Sequence, residues 1–342
     1  MAAPAWPDPK IRVNTTLPGP SWSRWGRLRG HCGGVAYGMQ TAPLAIAHRG
    51  GAGLAPENTL LAFARSTALG VRYLESDVHV TSDGHVVCFH DDTVDRVTAG
   101  TGRVASLTLA ELRSLRVLGT EPVPTLIEAL EHFPDACFTV DLKQAAAIEP
   151  LARVLRRTGV AERVCVAGAW DGWLKAVRDQ VPGATTTLGW RSLTALLVAA
   201  RLGVRPPRQI ATARFAHVPV SLGRLPVFGS RLVELAATID VRVVVWTVDD
   251  TALMRQLLDD GVDGVITDRP DLLRELLIAR GQWVPGASLD AQSRASRTCA
   301  SSAGAEYIGQ CPVASSTSCQ CGEASRAVTS SVGSDPSSRH FT

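Results

Sequence analysis

Residues 44–91 read LAIAHRGGAGLAPENTLLAFARSTALGVRYLESDVHVTSDGHVVCFHD. The apolar run Leu44-Ala45-Ile46-Ala47 ends on His48-Arg49-Gly50, as a short buried strand closing on a polar turn would. Residues 59–69 then carry apolar side chains at helical spacing, and residues 73–78 return to a β-rich composition. Strand, helix and strand in so short a span predict two parallel strands joined by a crossover. On the second of them Glu75 and Asp77 lie two residues apart and so point the same way. Crowding two carboxylates together is costly unless a cation offsets them. His48 and His90 flank the pair, and either can move a proton near neutral pH. The combination points to metal-assisted phosphoryl or acyl chemistry.

The same alternation continues to residue 281. Strands are predicted at 44–48, 73–78, 136–142, 163–167, 184–188, 209–212, 241–248 and 264–267, and helices at 59–69, 126–132, 148–158, 170–180, 192–202, 231–239, 251–259 and 271–279. A repeated strand–helix order implies a parallel sheet. Eight repeats within residues 44–281 match a closed TIM (β/α)8 barrel, whose usual size is about 250 residues. A doubly wound open sheet is the competing fold. The strand at 209–212 is the least periodic of the set, because residues 205–226 are rich in proline.

The flanks differ in character. Residues 1–43 hold prolines, glycines, tryptophans and arginines without a period, and are expected to form an irregular leader. A sharper expectation is that translation begins at Met39; an arm packed on the body through Trp22 and Trp25 is the other. Residues 282–342 are expected to be a disordered tail, since serine supplies 14 of the last 55 residues and large aliphatics nearly vanish. A formal charge of +3 argues against a dedicated nucleic-acid surface. The eight cysteines are scattered or confined to the tail, which fits a reducing compartment. The longest membrane-span candidate, residues 193–204, is short and broken by Arg201. The N-terminus lacks the apolar core of a secretion signal. A cytoplasmic protein without an integral membrane span is expected.

In a barrel of this kind the active site lies at the carboxyl ends of the strands. His48 and Arg49 follow the first strand, Glu75 and Asp77 end the second, Asp141 and Lys143 end the third, and Trp246 and Asp268 end the last two. Glu75 and Asp77 alone could be mouth acids paired with arginines. Adding Asp141 gives three carboxylates converging on one mouth, which suits Mg²⁺ or Ca²⁺. Arg49 is a natural phosphate clamp, or else a structural partner of Glu57. His79 continues the Glu75–Asp77 face, as a reserve ligand or, more simply, an exposed neighbour. His217 lacks comparable support. The run Gly50-Gly51-Ala52-Gly53 lacks the lysine and hydroxyl of a phosphate loop and is read as a sharp turn.

Taken together, these motifs resemble the glycerophosphodiester phosphodiesterase family. The resemblance covers about residues 44–281 and rests on His48-Arg49-Gly50, Pro56-Glu57-Asn58-Thr59, Glu75-x-Asp77, Thr81-x-Asp83-Gly84, His90-Asp91, Val123-Pro124-Thr125-Leu126, Asp141-x-Lys143, Trp246-Thr247-Val248 and the run from Gly261 to Asp268. It implies a TIM barrel that hydrolyses glycerophosphodiesters to glycerol 3-phosphate and an alcohol. It also implies a divalent cation held by Glu75, Asp77 and Asp141, and a general acid/base pair in His48 and His90. Arg49 and Lys143 match phosphate-contacting positions, and Trp246 an aromatic beside the substrate's organic groups. By the same resemblance, the glycerol 2-hydroxyl attacks phosphorus to give a cyclic phosphate that water then opens. Two positions depart from the family pattern: Asp141 stands where Glu is common, and Asp249 where Asn is frequent. Rival readings are a lysophospholipase D acting on lysophospholipids, and a barrel that binds ligand without turning it over.

Overall fold

The computed structural model describes residues 36–207, 210, 212–222, 225–226 and 229–286. Among them the strands are β1 (Leu44–Ala47), β2 (Tyr73–Val80), β3 (Val86–Cys88), β4 (Cys137–Leu142), β5 (Val164–Gly168), β6 (Thr185–Thr186), β7 (Phe215–Pro219), β8 (Ser221–Leu222), β9 (Leu225–Pro226), β10 (Arg242–Trp246) and β11 (Gly264–Thr267). The helices are α1 (Leu60–Ala68), α2 (Leu109–Ser114), α3 (Leu126–His132), α4 (Ile148–Thr158), α5 (Asp171–Gln180), α6 (Trp190–Leu202), α7 (Ser230–Ala237), α8 (Thr251–Asp259) and α9 (Pro270–Ala279).

Eight strands run parallel in the order β6-β5-β4-β2-β1-β11-β10-β7. A parallel bridge from Thr187 to Phe215 joins the two ends, so the sheet closes into a TIM barrel. Closure explains why β4, β5, β10 and β11 are runs of β-branched and apolar residues: each is covered by a helix outside and packed side chains inside. Ile46, Tyr73, Phe215, Val244 and Ile266 fill the interior. Val140, Val166, Val243 and Val245 face the helical ring instead. The helices start where side chains supply the missing acceptors. Thr125 and Glu128 form a capping box on α3, and Thr59 caps α1.

The strand predicted at 209–212 lies elsewhere: β7 is Phe215–Pro219. Phe215 to Pro219 pair residue for residue with Arg242 to Trp246. Proline content misled the reading, because Pro219 occupies the last position of the strand, where a missing N–H is tolerated. Ile210 instead belongs to a turn, with its N–H donating to the Pro207 carbonyl at 3.1 Å. The antiparallel β2–β3 hairpin was not foreseen either; it turns through Gly84 at φ +84°.

The barrel extends beyond residues 44–281 at both ends. Tyr37 plugs the floor, with edge-on contacts to Tyr73 and Phe215 at 5.2 Å and its hydroxyl 2.5 Å from Thr139 Oγ1. Arg242 donates to the carbonyls of Gly38 and Gln40. Tyr37 and Gly38 lie upstream of Met39, so a chain begun at Met39 lacks this plug. At the other end the Gly286 N–H donates to the Gly70 carbonyl at 2.7 Å, and Arg274 lies over the Trp283 ring. The remainder of the expected leader, with Trp22 and Trp25, and residues 287–342 of the tail fall outside the described residues.

Candidate active site

The carboxyl ends of the strands open into a cavity of about 390 Å³, within the usual range for a small-molecule site. His48, Arg49, Glu75, Asp77, His90, Asp141, Lys143 and Trp246 all line it. The barrel thus gathers these eight candidates across nearly 200 residues of chain, while His79 and Asp268 are not among the lining residues.

Local structure explains the gathering. After β1 the chain makes one tight turn, with Arg49 at φ +50° and Gly50 at φ +82°. A Cβ at Gly50 would fall 2.6 Å from the Phe63 ring, so this residue must be glycine for α1 to close on the turn. The turn aims the Arg49 N–H at Glu75 Oε2, 2.7 Å away. Asp77 and Asp141 are register partners across β2 and β4 and share one side of the sheet. Lys143 Nζ sits between them, 2.8 Å from Asp77 Oδ1 and 2.7 Å from Asp141 Oδ2.

The stretch Pro56-Glu57-Asn58-Thr59 buttresses the cluster. Asn58 donates to Asp77 Oδ2 at 2.9 Å and accepts from Ser76 Oγ at 2.7 Å. Glu57 accepts from Arg49 at 2.9 Å and from Arg96, which reaches on to Asp91. The Arg49–Glu57 pair weighed from the sequence is therefore present, and the Arg49 Nε also lies 3.6 Å from Asp77.

Each histidine carries a carboxylate on Nδ1. His48 Nδ1 is 2.7 Å from Asp268 Oδ1, and His90 Nδ1 is 2.5 Å from Asp91 Oδ1. This pairing fixes the ring and leaves Nε2 for proton transfer. Burial disfavours the His48 cation, yet Asp268 and Glu75 outweigh it and raise the pKa above the ordinary value. Asp249 in turn accepts from the Asp268 N–H at 2.8 Å and from Thr267 Oγ1 at 2.9 Å. His79, expected to be exposed or a reserve ligand, is buried; its Nε2 is 3.1 Å from the His90 carbonyl.

The carboxylates are unequally charged. Burial, reinforced by Asp77, pushes Glu75 up to about 8. Asp77 is buried as well, but Lys143 and His90 hold it below the usual range. Burial raises Asp141 despite Lys143. Among the described residues no three Asp, Glu, His or Cys side chains already stand as a metal-holding group, the Lys143 ammonium lying between two of the candidate ligands.

Three further contributors have no site role in the sequence reading. Arg96 ties Glu57 to Asp91. His217 on β7 lines the cavity, half-buried, with its Nε2 buried and without a hydrogen-bond partner among the described residues; desolvation pushes it down to about 4. Correct placement of β7 reveals it, because Ala216 and Val218 face the helices and His217 must face inward. Finally, Trp170, Trp173 and Trp190 form an uncharged wall after β5 and β6.

The model of the glycerophosphoryl diester phosphodiesterase family matches residues 48–272. A probable glycerophosphodiester phosphodiesterase 2 of Mycobacterium tuberculosis is 35% identical over 244 residues, covering 70% of this chain and 92% of the relative. The glycerophosphodiester phosphodiesterase of Caldanaerobacter subterraneus subsp. tengcongensis is 32% identical over 250 residues, covering 68% and 97%. This chain belongs to the glycerophosphoryl diester phosphodiesterase family. Among solved structures, a putative member from Silicibacter pomeroyi is 25% identical with a TM-score of 0.60, covering 72% of this chain and 97% of its own. A phosphodiesterase of Oleispira antarctica, solved with the product sn-glycerol-3-phosphate, is 24% identical with a TM-score of 0.58, covering 69% and 97%; at that identity the likeness concerns the fold. Asp141 and Asp249 are the two positions at which the sequence resemblance led to an expectation of Glu and Asn. The first stands in the ionic cluster and the second orients the partner of His48.

Proposed function

We propose that this phosphodiesterase hydrolyses glycerophosphodiesters to glycerol 3-phosphate and an alcohol, with His48 and His90 as its general acid/base pair. The observation that carries the reading is the pair of carboxylate-backed histidines lining one cavity with Arg49 and Lys143. A phosphodiester is an anion, and two fixed cations can hold its oxygens. One imidazole takes the proton of the glycerol 2-hydroxyl. The freed oxygen attacks phosphorus, the bond to the alcohol breaks, and the other imidazole protonates the departing oxygen. With the roles reversed, water opens the resulting cyclic phosphate at the 2-position and leaves glycerol 3-phosphate. Attack by the substrate's own hydroxyl gains the advantage of an intramolecular reaction.

The donor set fits a hard divalent cation, Mg²⁺ or Ca²⁺. It offers only carboxylate oxygens, and the raised Glu75 marks a negative cluster that its own lysine does not fully offset. Glu75, Asp77 and Asp141 would hold the ion, with Lys143 turning toward substrate. When bound, the ion would stabilise charge on the phosphoryl oxygens. Two buried free cysteines, Cys88 and Cys165, support a reducing, cytoplasmic setting. Among the described residues no helix is long and apolar enough to cross a membrane.

The tryptophan wall favours a bulky apolar alcohol, so lysophospholipids are the second substrate class. A hydrolysis panel of glycerophosphodiesters and lysophospholipids, run with each metal and with chelator, tests both readings. Release of glycerol 3-phosphate under a divalent metal is expected; binding without turnover under every metal would leave a non-catalytic barrel.

A further inference from the structure

The longest stretch of charge asymmetry in the chain includes α6, whose first residue lines the cavity. Residues 180–233 contain seven arginines and no aspartate, glutamate or lysine. The same region holds an excess of exposed apolar side chains. Of the nine large hydrophobic residues exposed among the described residues, five fall between Trp170 and Val204. Leu202 is 69% exposed, Trp170 59%, Val204 50% and Val198 49%. Scattered singly, such residues would need no explanation. Here three of the five, Trp190, Val198 and Leu202, lie on one helix.

Helix α6 arranges them. At 3.6 residues per turn, Trp190, Arg191, Val198, Arg201 and Leu202 fall within an arc of about 120°, while Leu193, Leu196, Ala199 and Ala200 occupy the opposite, buried side. Trp190 begins the helix at the rim of the cavity, and its N–H donates to the Ala169 carbonyl at 2.9 Å, which brings Trp170 into the same rim. Apolar side chains interleaved with arginines on one exposed helix face, ending on tryptophans, match an element lying in the plane of a membrane interface. Arginine stems would cover apolar surface there while their guanidinium groups meet lipid headgroups. Along α6 itself the only charged residues are Arg191 and Arg201, which selects the sign of the partner's charge. A second copy of this chain would present the same arginines to one another, which opposes self-association through this face.

We propose that the outer face of α6, with the tryptophan rim at its start, docks on an anionic lipid bilayer and sets the cavity mouth at the lipid surface. The inference stands on charge and exposure and is independent of the catalytic reading. If the chain also acts on lysophospholipids, docking would shorten their path to the site.

The test is flotation of the full chain with vesicles of phosphatidylcholine alone and of phosphatidylcholine mixed equally with phosphatidylglycerol. Binding to the mixed vesicles, weakened by salt, is expected, with little binding to the neutral ones. The double variants Val198→Glu/Leu202→Glu and Arg191→Glu/Arg205→Glu should each lower partitioning by about tenfold or more. None of these four residues lines the cavity, so melting temperature and hydrolysis of a soluble glycerophosphodiester should be unchanged. A parent chain that stays soluble with both vesicle types would overturn the proposal. So would equal binding to both, or variants that float as the parent does. A dimer that Val198→Glu/Leu202→Glu dissolves, without vesicle binding by the parent, would assign the face to a second copy. Hydrolysis is read on a soluble substrate and docking without turnover, so the two readings fail separately.

Discussion

The two halves of the barrel mouth are built on opposite principles. Around β1, β2 and β4 the polar groups pair with charged or polar partners: His48 with Asp268, His90 with Asp91, Asp77 with Lys143 and Asn58. Around β5 and β6 the wall is Ala167, Gly168, Trp170, Trp173, Leu188 and Trp190, without a charge. A reacting phosphodiester needs fixed charge at phosphorus and nothing so specific at the departing alcohol. On the proposed mechanism the first half would set rate, and the second which alcohol is tolerated. This division predicts a graded series of effects.

The largest loss should follow removal of either imidazole. His48→Ala and His90→Ala are each expected to lower kcat by about 10²–10⁴-fold with folding intact, the usual worth of a general acid or base. Losses below about tenfold in both, measured on a soluble glycerophosphodiester, would break the assignment of rate to the ionic half.

Glu75→Gln comes next, with an expected activity loss on the order of 100-fold. It also carries a pH signature. The Glu75 carboxyl is raised to about 8 in the fold, above its value in an unfolded chain of about 4.3. Folding thus favours the protonated form, and the stability it contributes is present at acid pH and lost as pH rises through about 8. In chelator, the parent should melt progressively lower across this range, while Glu75→Gln should show a shallower decline. A divalent metal should recover the parent at alkaline pH and not the variant. Identical pH slopes for the two proteins would contradict the shift.

The ionic half was largely legible in the sequence, and the aromatic half was not. Glu75, Asp77 and Asp141 follow from strand periodicity, because the ends of β2 and β4 fall within two residues of their predicted positions. The partnership of His48 with Asp268 spans 220 residues and exists only once the barrel closes. Arg96 sits in a loop with no period to place it. Trp170, Trp173 and Trp190 carry no local charge pattern, and a tryptophan in a helical repeat reads as core. His217 was lost with its strand: an error of a few residues in register sends an inward side chain to the wrong address. Tyr37 fell within a segment read as an irregular leader.

Trp170→Ala and Trp173→Ala sharpen the contrast between the halves. Each removes aromatic surface, so KM for a diester with a bulky apolar alcohol should rise roughly 2- to 10-fold, the range of an aromatic contact. With a small alcohol neither KM nor kcat should change appreciably. Equal effects on both substrates would place the tryptophans in the general structure of the site and not in selection of the alcohol.

Asp249→Asn should have the smallest effect, although it lies within the ionic half. Asp249 Oδ1 accepts from the Asp268 N–H and the Thr267 hydroxyl, and an amide oxygen can accept both. The orientation of Asp268, and through it of His48, should survive. What changes is one unit of charge and some strength in two bonds, since charge-assisted hydrogen bonds are stronger than neutral ones. An activity change below about threefold is expected on these grounds. Asp249→Ala differs in kind, because it strands the Asp268 N–H and the Thr267 hydroxyl at a cost of about 1–3 kcal/mol. A loss beyond about tenfold in the Asn variant, with melting temperature unchanged, would show that the position acts through its charge and not only by orienting Asp268.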